Sequence, residues 1–276
     1  MKSSNKNFNL KNIINGIFIG ASNVIPGVSG GTVAVILGIY EALIDSVKNI
    51  RHDFKKNILY LIQIGVGAVI GILLFSSMIS TLLDKYTIAV NYLFVGLVIG
   101  SISLLFSKFE DKKMTLSKIS GFILGVGFVF MISTIGAMMS VDGTESIKTG
   151  LSSYITLGFA GFIAAFTMVL PGVSGSLTLV MLGMYDDFVN AISTFNIPVL
   201  FVCGIGVLIG LLVTVKLISF LLKKYNDITY AAILGLVMGS ILIIVFNNPV
   251  GSSFVVALVS IITGALITAM LSKLSR

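Results

Sequence analysis

The sequence predicts an all-α integral membrane protein built as an inverted-topology repeat, each half one re-entrant helical hairpin plus three transmembrane helices. Three observations predict it. The 276 residues are 56% hydrophobic and 11% charged, with mean hydropathy +1.08, whereas a soluble domain carries about 25% charge. The apolar residues fall into long runs, and one proline- and glycine-broken segment occurs twice. A soluble globule, a disordered chain and a disulfide scaffold are excluded, the last because Cys203 is the single cysteine.

The apolar runs lie at 13–47, 58–83, 88–107, 119–141, 151–192, 197–222, 228–247 and 252–272. A crossing helix takes about 20 apolar residues, so six of these runs fit one crossing each. The runs 13–47 and 151–192 are too long for one crossing. They are interrupted by Pro26-Gly27-Val28-Ser29-Gly30-Gly31 and by Pro171-Gly172-Val173-Ser174-Gly175-Ser176. Their half-lengths suit re-entrant hairpins, although two full crossings would leave every loop on the same side.

The net charge of +7 is concentrated in short loops beside the apolar runs. Lys48, Arg51, Lys55 and Lys56 follow the first run, and Lys108, Lys112, Lys113 and Lys118 fill the central loop. With re-entrant hairpins and a cytoplasmic amino terminus, 15 of the 18 basic residues lie inside and both termini are cytoplasmic. The basic excess therefore reads as membrane orientation, with no nucleic-acid partner.

Self-comparison shows an internal duplication. At an offset of 145, ten of the 17 positions from Val24 to Tyr40 are identical to Val169–Tyr185, including Pro26/Pro171, Gly27/Gly172, Ser29/Ser174 and Gly30/Gly175. The offset then becomes 139: Gly67 and Gly71 match Gly206 and Gly210, Lys85-Tyr86 matches Lys224-Tyr225, and Gly96 and Gly100 match Gly235 and Gly239. The third helix of each half shows no convincing match. The halves are 1–141 and 142–276. Three crossings per half invert the second copy, an architecture whose substrate site lies at mid-membrane between the halves. Residues 16–25 have their counterpart at 161–170 inside the chain, so they read as structure and not as a cleaved signal.

At each break a helix restarts deep in the membrane, with unpaired N–H groups and a positive dipole end, a setting that favours phosphate. Glycines admit a ligand close to the backbone, and hydroxyls stand beside it. The candidate phosphate-binding residues are Pro26, Gly27, Ser29, Gly30, Gly31 and Thr32 in the first tip. Those in the second are Pro171, Gly172, Ser174, Gly175, Ser176 and Thr178. The plainer alternative is serine capping within a packed kink.

Glu41 and Asp186 occupy matched positions about two and a half turns beyond the tips, nearer the interface than mid-membrane. Tyr40 and Tyr185 beside them suit an aromatic belt, and a coupling or counter-charge role is the alternative for the two acids. Lys216 lies about two turns inside its helix, placed to snorkel to the cytoplasmic face or else to pair a phosphate. No cluster suggests a metal or cofactor, and the lone His52 leaves no Ser/His/Asp set, so the chain is not read as an enzyme.

The paired Pro-Gly-Val-Ser-Gly segments, Gly-Gly-Thr after the first, and the Leu-Gly-x-Tyr-(Glu/Asp) continuations resemble the bacterial polyprenyl-phosphate translocases of the PopT type. The resemblance covers essentially the whole chain. It implies a flippase of the bacterial cytoplasmic membrane that returns undecaprenyl phosphate from the outer to the inner leaflet, recycling the lipid carrier of cell-wall synthesis. Its partners would be polyprenyl phosphate and the surrounding membrane lipids. The motif is also similar to the Pro-Gly-x-Ser-Arg-Ser signature of undecaprenyl pyrophosphate phosphatases, but Gly30 and Gly175 stand where that family has arginine. Two alternatives remain: a channel or coupled transporter for a small anion, and an intramembrane polyprenyl-pyrophosphate phosphatase.

Overall fold

The computed structural model describes residues 9–23, 29–139, 151–175 and 194–274, with 178–179, 182, 184, 187–188 and 190–191 between them. These residues form helices joined by short turns, with no strand among them. The helices are α1 (Leu10–Asn23), α2 (Gly30–Ile36), α3 (Tyr40–Lys48), α4 (Phe54–Phe106), α5 (Leu116–Met139), α6 (Leu151–Val169), α7 (Ile197–Lys224), α8 (Asn226–Asn247) and α9 (Phe254–Leu274). Hydrocarbon offers the backbone no partner, so helices that satisfy their own amides are what such apolar runs can form.

Six segments are long and apolar enough to cross a membrane, and they fall on the six single-crossing runs: Phe54–Ile79, Thr81–Phe106, Leu116–Thr134, Ile197–Lys224, Asn226–Asn247 and Gly251–Met270. Leu73, Leu74, Leu124, Phe201 and Phe246 are exposed on them, an apolar surface suited to lipid. The chain is a multi-pass membrane protein. One non-helical residue, Tyr86 (φ −134°, ψ 43°), divides α4 into two arms. Its repeat partner Tyr225 (φ −134°, ψ 51°) separates α7 from α8 in the same conformation.

Small residues decide which helices touch. A Cβ on Gly67 would run into the Ile13 carbonyl, and one on Gly71 into that of Ile17, so α1 lies against the first arm of α4. A Cβ on Gly206 would strike the Gly158 carbonyl and one on Gly210 that of Phe162, which sets α6 against α7 with the same residue correspondences. The remaining pairs cross between halves. Gly264 of α9 faces Leu93 and Leu97 of the second arm of α4, while Gly125 of α5 faces Ala232 and Leu236 of α8. These sites are related by the offset of 139, so Gly125 and Gly264 supply the match that the third helices lack in bulk sequence. The third helix of each half thus packs on the second span of the other half.

The segment after the first tip departs from expectation. The sequence suggests one straight limb from Gly30 to about residue 47, but α2 ends after seven residues and α3 leaves it at 114°. The cause is a Schellman ending: Gly38 adopts φ +68°, its N–H donates to Val35 O (3.0 Å) and that of Ile39 to Ala34 O (2.9 Å). In the second half the Met184 N–H donates to Leu179 O (3.0 Å), the same bond 145 residues on. Tyr40 and Glu41 are therefore not carried away from the tip along one helix.

Candidate functional site

Pro171 has no N–H and stops α6, so the last carbonyls of that helix lose their intrahelical partners. Side chains of the first broken segment take them. Ser29 Oγ donates to Leu170 O (3.3 Å) and Tyr40 OH to Val169 O (3.2 Å). In return the Gly172 N–H donates to Thr32 Oγ1 (2.7 Å). Gly172 sits at φ +87° against the Leu236 carbonyl of α8, where a side chain has neither the dihedral nor the space. Ser29 and Thr32 are each 2% exposed, and Pro171 is fully buried. The two breaks thus meet and are fastened by three hydrogen bonds.

The Gly30 and Gly31 amides of the first tip are not left open, as the sequence suggests. Ser29 is the N-cap of α2, its Oγ accepting the Gly31 N–H (3.1 Å), and Asn23 Oδ1 accepts the Gly30 N–H (3.0 Å). A buried N–H left without a partner is costly, and the chain satisfies these two from within. At the second tip the Thr178 N–H donates to Ser174 O (3.1 Å), the counterpart of Val33 N–H to Ser29 O (3.2 Å). Thr178 Oγ1 donates to Thr167 Oγ1 (3.0 Å), which reaches the Ala164 carbonyl (3.0 Å). A cavity of about 30 Å³ borders Gly172 and Ser174 and is also lined by Ser133 of α5 and Ser240 of α8. Its volume is close to that of one water molecule.

The structure brings Ser29, Gly31 and Thr32 against the Val169–Gly172 corner, while Gly30 lies against Asn23 and Ile19 of α1 and Gly175 and Thr178 lie against α6. Pro26, Gly27, Ser176 and Asp186 lie outside the described residues. Tyr40 is not an interfacial belt residue: it is 6% exposed and its hydroxyl belongs to the fastening. Glu41 receives hydrogen bonds from Lys108 Nζ (2.9 Å) and from the Tyr230 hydroxyl, tying α3 to the central loop and to α8. Lys216 lies on an exposed face of α7, in keeping with snorkelling. Cys203 is buried in the α6–α7 contact, its Sγ 3.6 Å from Leu157 O.

Asn23, Thr167, Ser133, Ser240 and the Tyr40 hydroxyl escaped the sequence reading. Three of them carried a signal in the repeat: Tyr40 matches Tyr185, Ser240 matches Ser101, and Thr167 stands 145 residues after Ser22, the hydroxyls of these last two each bonding back into their own helix end.

Comparisons with known proteins point the same way. A family model described as VCA0040-like, undecaprenyl phosphate translocase-like, matches residues 19–257. A polyprenyl-phosphate transporter of Vibrio cholerae is 33% identical over 246 residues, 84% of this chain and 76% of the relative. A protein of the same name from Staphylococcus aureus is 30% identical over 272 residues, 96% of each chain. An undecaprenyl-diphosphatase of Clostridium tetani is 29% identical over 223 residues, 78% of each. No solved structure matches the chain at a significant level. With most of its length matched, the chain belongs to the undecaprenyl phosphate translocase-like family.

Proposed function

We propose that this protein is a flippase that returns polyprenyl phosphate, such as undecaprenyl phosphate, from the outer to the inner leaflet of the bacterial cytoplasmic membrane. In this reading the two halves are inverted with respect to each other, both termini are cytoplasmic and the broken segments are re-entrant. The phosphate is held where the segments meet while the prenyl chain stays in an apolar environment. The observation that carries the reading is the junction itself: the Ser29 hydroxyl meets the Leu170 carbonyl and the Gly172 amide meets the Thr32 hydroxyl in a buried contact between the two breaks. A bare phosphate in hydrocarbon is prohibitively costly, and such donors replace its water.

The Ser29 and Tyr40 hydroxyls and the Gly172 amide already have acceptors within the protein, so admission of a phosphate requires the tips to part and exchange the Val169 and Leu170 carbonyls for phosphate oxygens. The relatives named polyprenyl-phosphate transporters support the substrate. Ser29→Trp and Ser174→Trp are expected to abolish translocation of polyprenyl phosphate in liposomes holding the purified protein. Wild-type rates in both variants would overturn the site. Flux of a soluble anion through the wild-type protein would favour a channel, and phosphate release from polyprenyl pyrophosphate a phosphatase.

A further inference from the structure

An apolar groove of about 260 Å³ runs from Gly30 and Gly31 along α3 to its carboxy-terminal end, and its walls come from both halves. Ala34, Leu43 and Val47 form one wall, and Leu211 and Val215 of α7 form the other. The lining is aliphatic apart from Tyr40 and the backbone at the tip. At the related positions of the second half Leu179 replaces Ala34 and Phe188 replaces Leu43, and both belong to a small cluster around Ala160 and Ala164. Two positions that line the groove in the first half therefore carry larger side chains in the second.

We propose that this groove binds the head-proximal isoprene units of the polyprenyl phosphate, and that the larger Leu179 and Phe188 at the matched positions disfavour the chain on the second-hairpin side. The inference rests on the substrate reading above and assigns the part of the lipid that reading leaves free. Groove and tip share Gly30 and Gly31, so a ligand in the groove ends beside the buried hydroxyls of Ser29 and Thr32, which the parting of the tips would open to it. A polyprenyl phosphate matches that order, because its single chain is esterified straight to the phosphate. A glycerophospholipid does not, since glycerol sets two chains beside each other and separates them from the phosphate. The groove's lack of polar side chains other than Tyr40 suits an unsaturated hydrocarbon, whose burial needs area and shape but no hydrogen bonds.

The second half supplies the test. Ala34→Leu with Leu43→Phe places in the groove the residues found at the matched positions of the second half, and Val47→Trp blocks it from a half-buried rim position should the double variant misfold. The probe is a polyprenyl phosphate carrying a diazirine on an early isoprene unit, added to the full chain in liposomes. Labelling of wild type is expected at α3 and α7, and each variant should lose about tenfold or more of it, the effect of one decade in affinity. Unchanged labelling in Val47→Trp and in the folded double variant would overturn the groove, as would equal competition by a diacyl phospholipid. Translocation is measured on the same samples. Wild-type translocation with groove-independent labelling removes this inference alone, whereas labelling at the groove without translocation supports it and removes the flippase reading.

Discussion

Pro171 illustrates how one residue type sets the chemistry of the junction. It ends α6, so that the Val169 and Leu170 carbonyls accept side-chain hydroxyls in place of helical amides, and its neighbour Gly172 needs an acceptor that the broken helix cannot supply. Thr32 meets that need with a hydroxyl from the other half. Thr32→Val keeps the shape and removes the acceptor, leaving a buried amide unpaired, and is expected to lower stability by about 1–2 kcal/mol. Thr32→Ser should retain most of it. Thermal unfolding of the detergent-solubilised protein separates the two, and equal midpoints would show that the bond contributes nothing. The motif residues that carry this junction were legible because proline, glycine and serine stood collinear in two copies. The role of Tyr40 was not, since its bond depends on a helix ending at Ile36 and on a partner segment remote in sequence, nor was that of Asn23, whose bond depends on how the chain turns back between α1 and α2.

At the scale of the helices, glycine position determines pairing more than bulk hydrophobicity does. Gly206 lies so close to the Gly158 carbonyl that any side chain forces α6 and α7 apart. Gly206→Leu is expected to cost about 1–3 kcal/mol through overpacking. Gly65→Ala serves as the contrast, since nothing lies within 4 Å of a Cβ there and its midpoint should stay near wild type. A drop in Gly65→Ala as large as in Gly206→Leu would remove the contact explanation. The six crossing segments were readable from run length alone, because hydrocarbon thickness fixes the length of an apolar helix. The bend at Gly38 was hidden, as Leu-Gly inside an apolar run looks like a tolerated glycine until the left-handed dihedral and the Ile39–Ala34 bond are seen. The match between third helices was hidden for a related reason: what they share is Gly125 and Gly264 at one contact each, within otherwise unrelated apolar residues.

Across the whole molecule, the halves are interlocked by exchange of their third helices. α5 closes on α8 and α9 on the second arm of α4, so neither half has its complete packing surface alone. Fragments 1–141 and 142–276 expressed separately are expected to be degraded or aggregated. Co-expressed, they should purify as one complex through a tag on either, and independent stability of both fragments would contradict the interlock. The tip junction has a consequence of a different kind. The amino-terminal end of α2 is answered by the Leu170 carbonyl just past the end of α6, through the Ser29 hydroxyl. In the proposed reading the protein thus holds its own carbonyl where the lipid would place a charged oxygen. Binding would then be an exchange between two sets of acceptors, with a net affinity smaller than the contacts alone would confer. For the proposed shuttle, so even a trade would ease release on the far side.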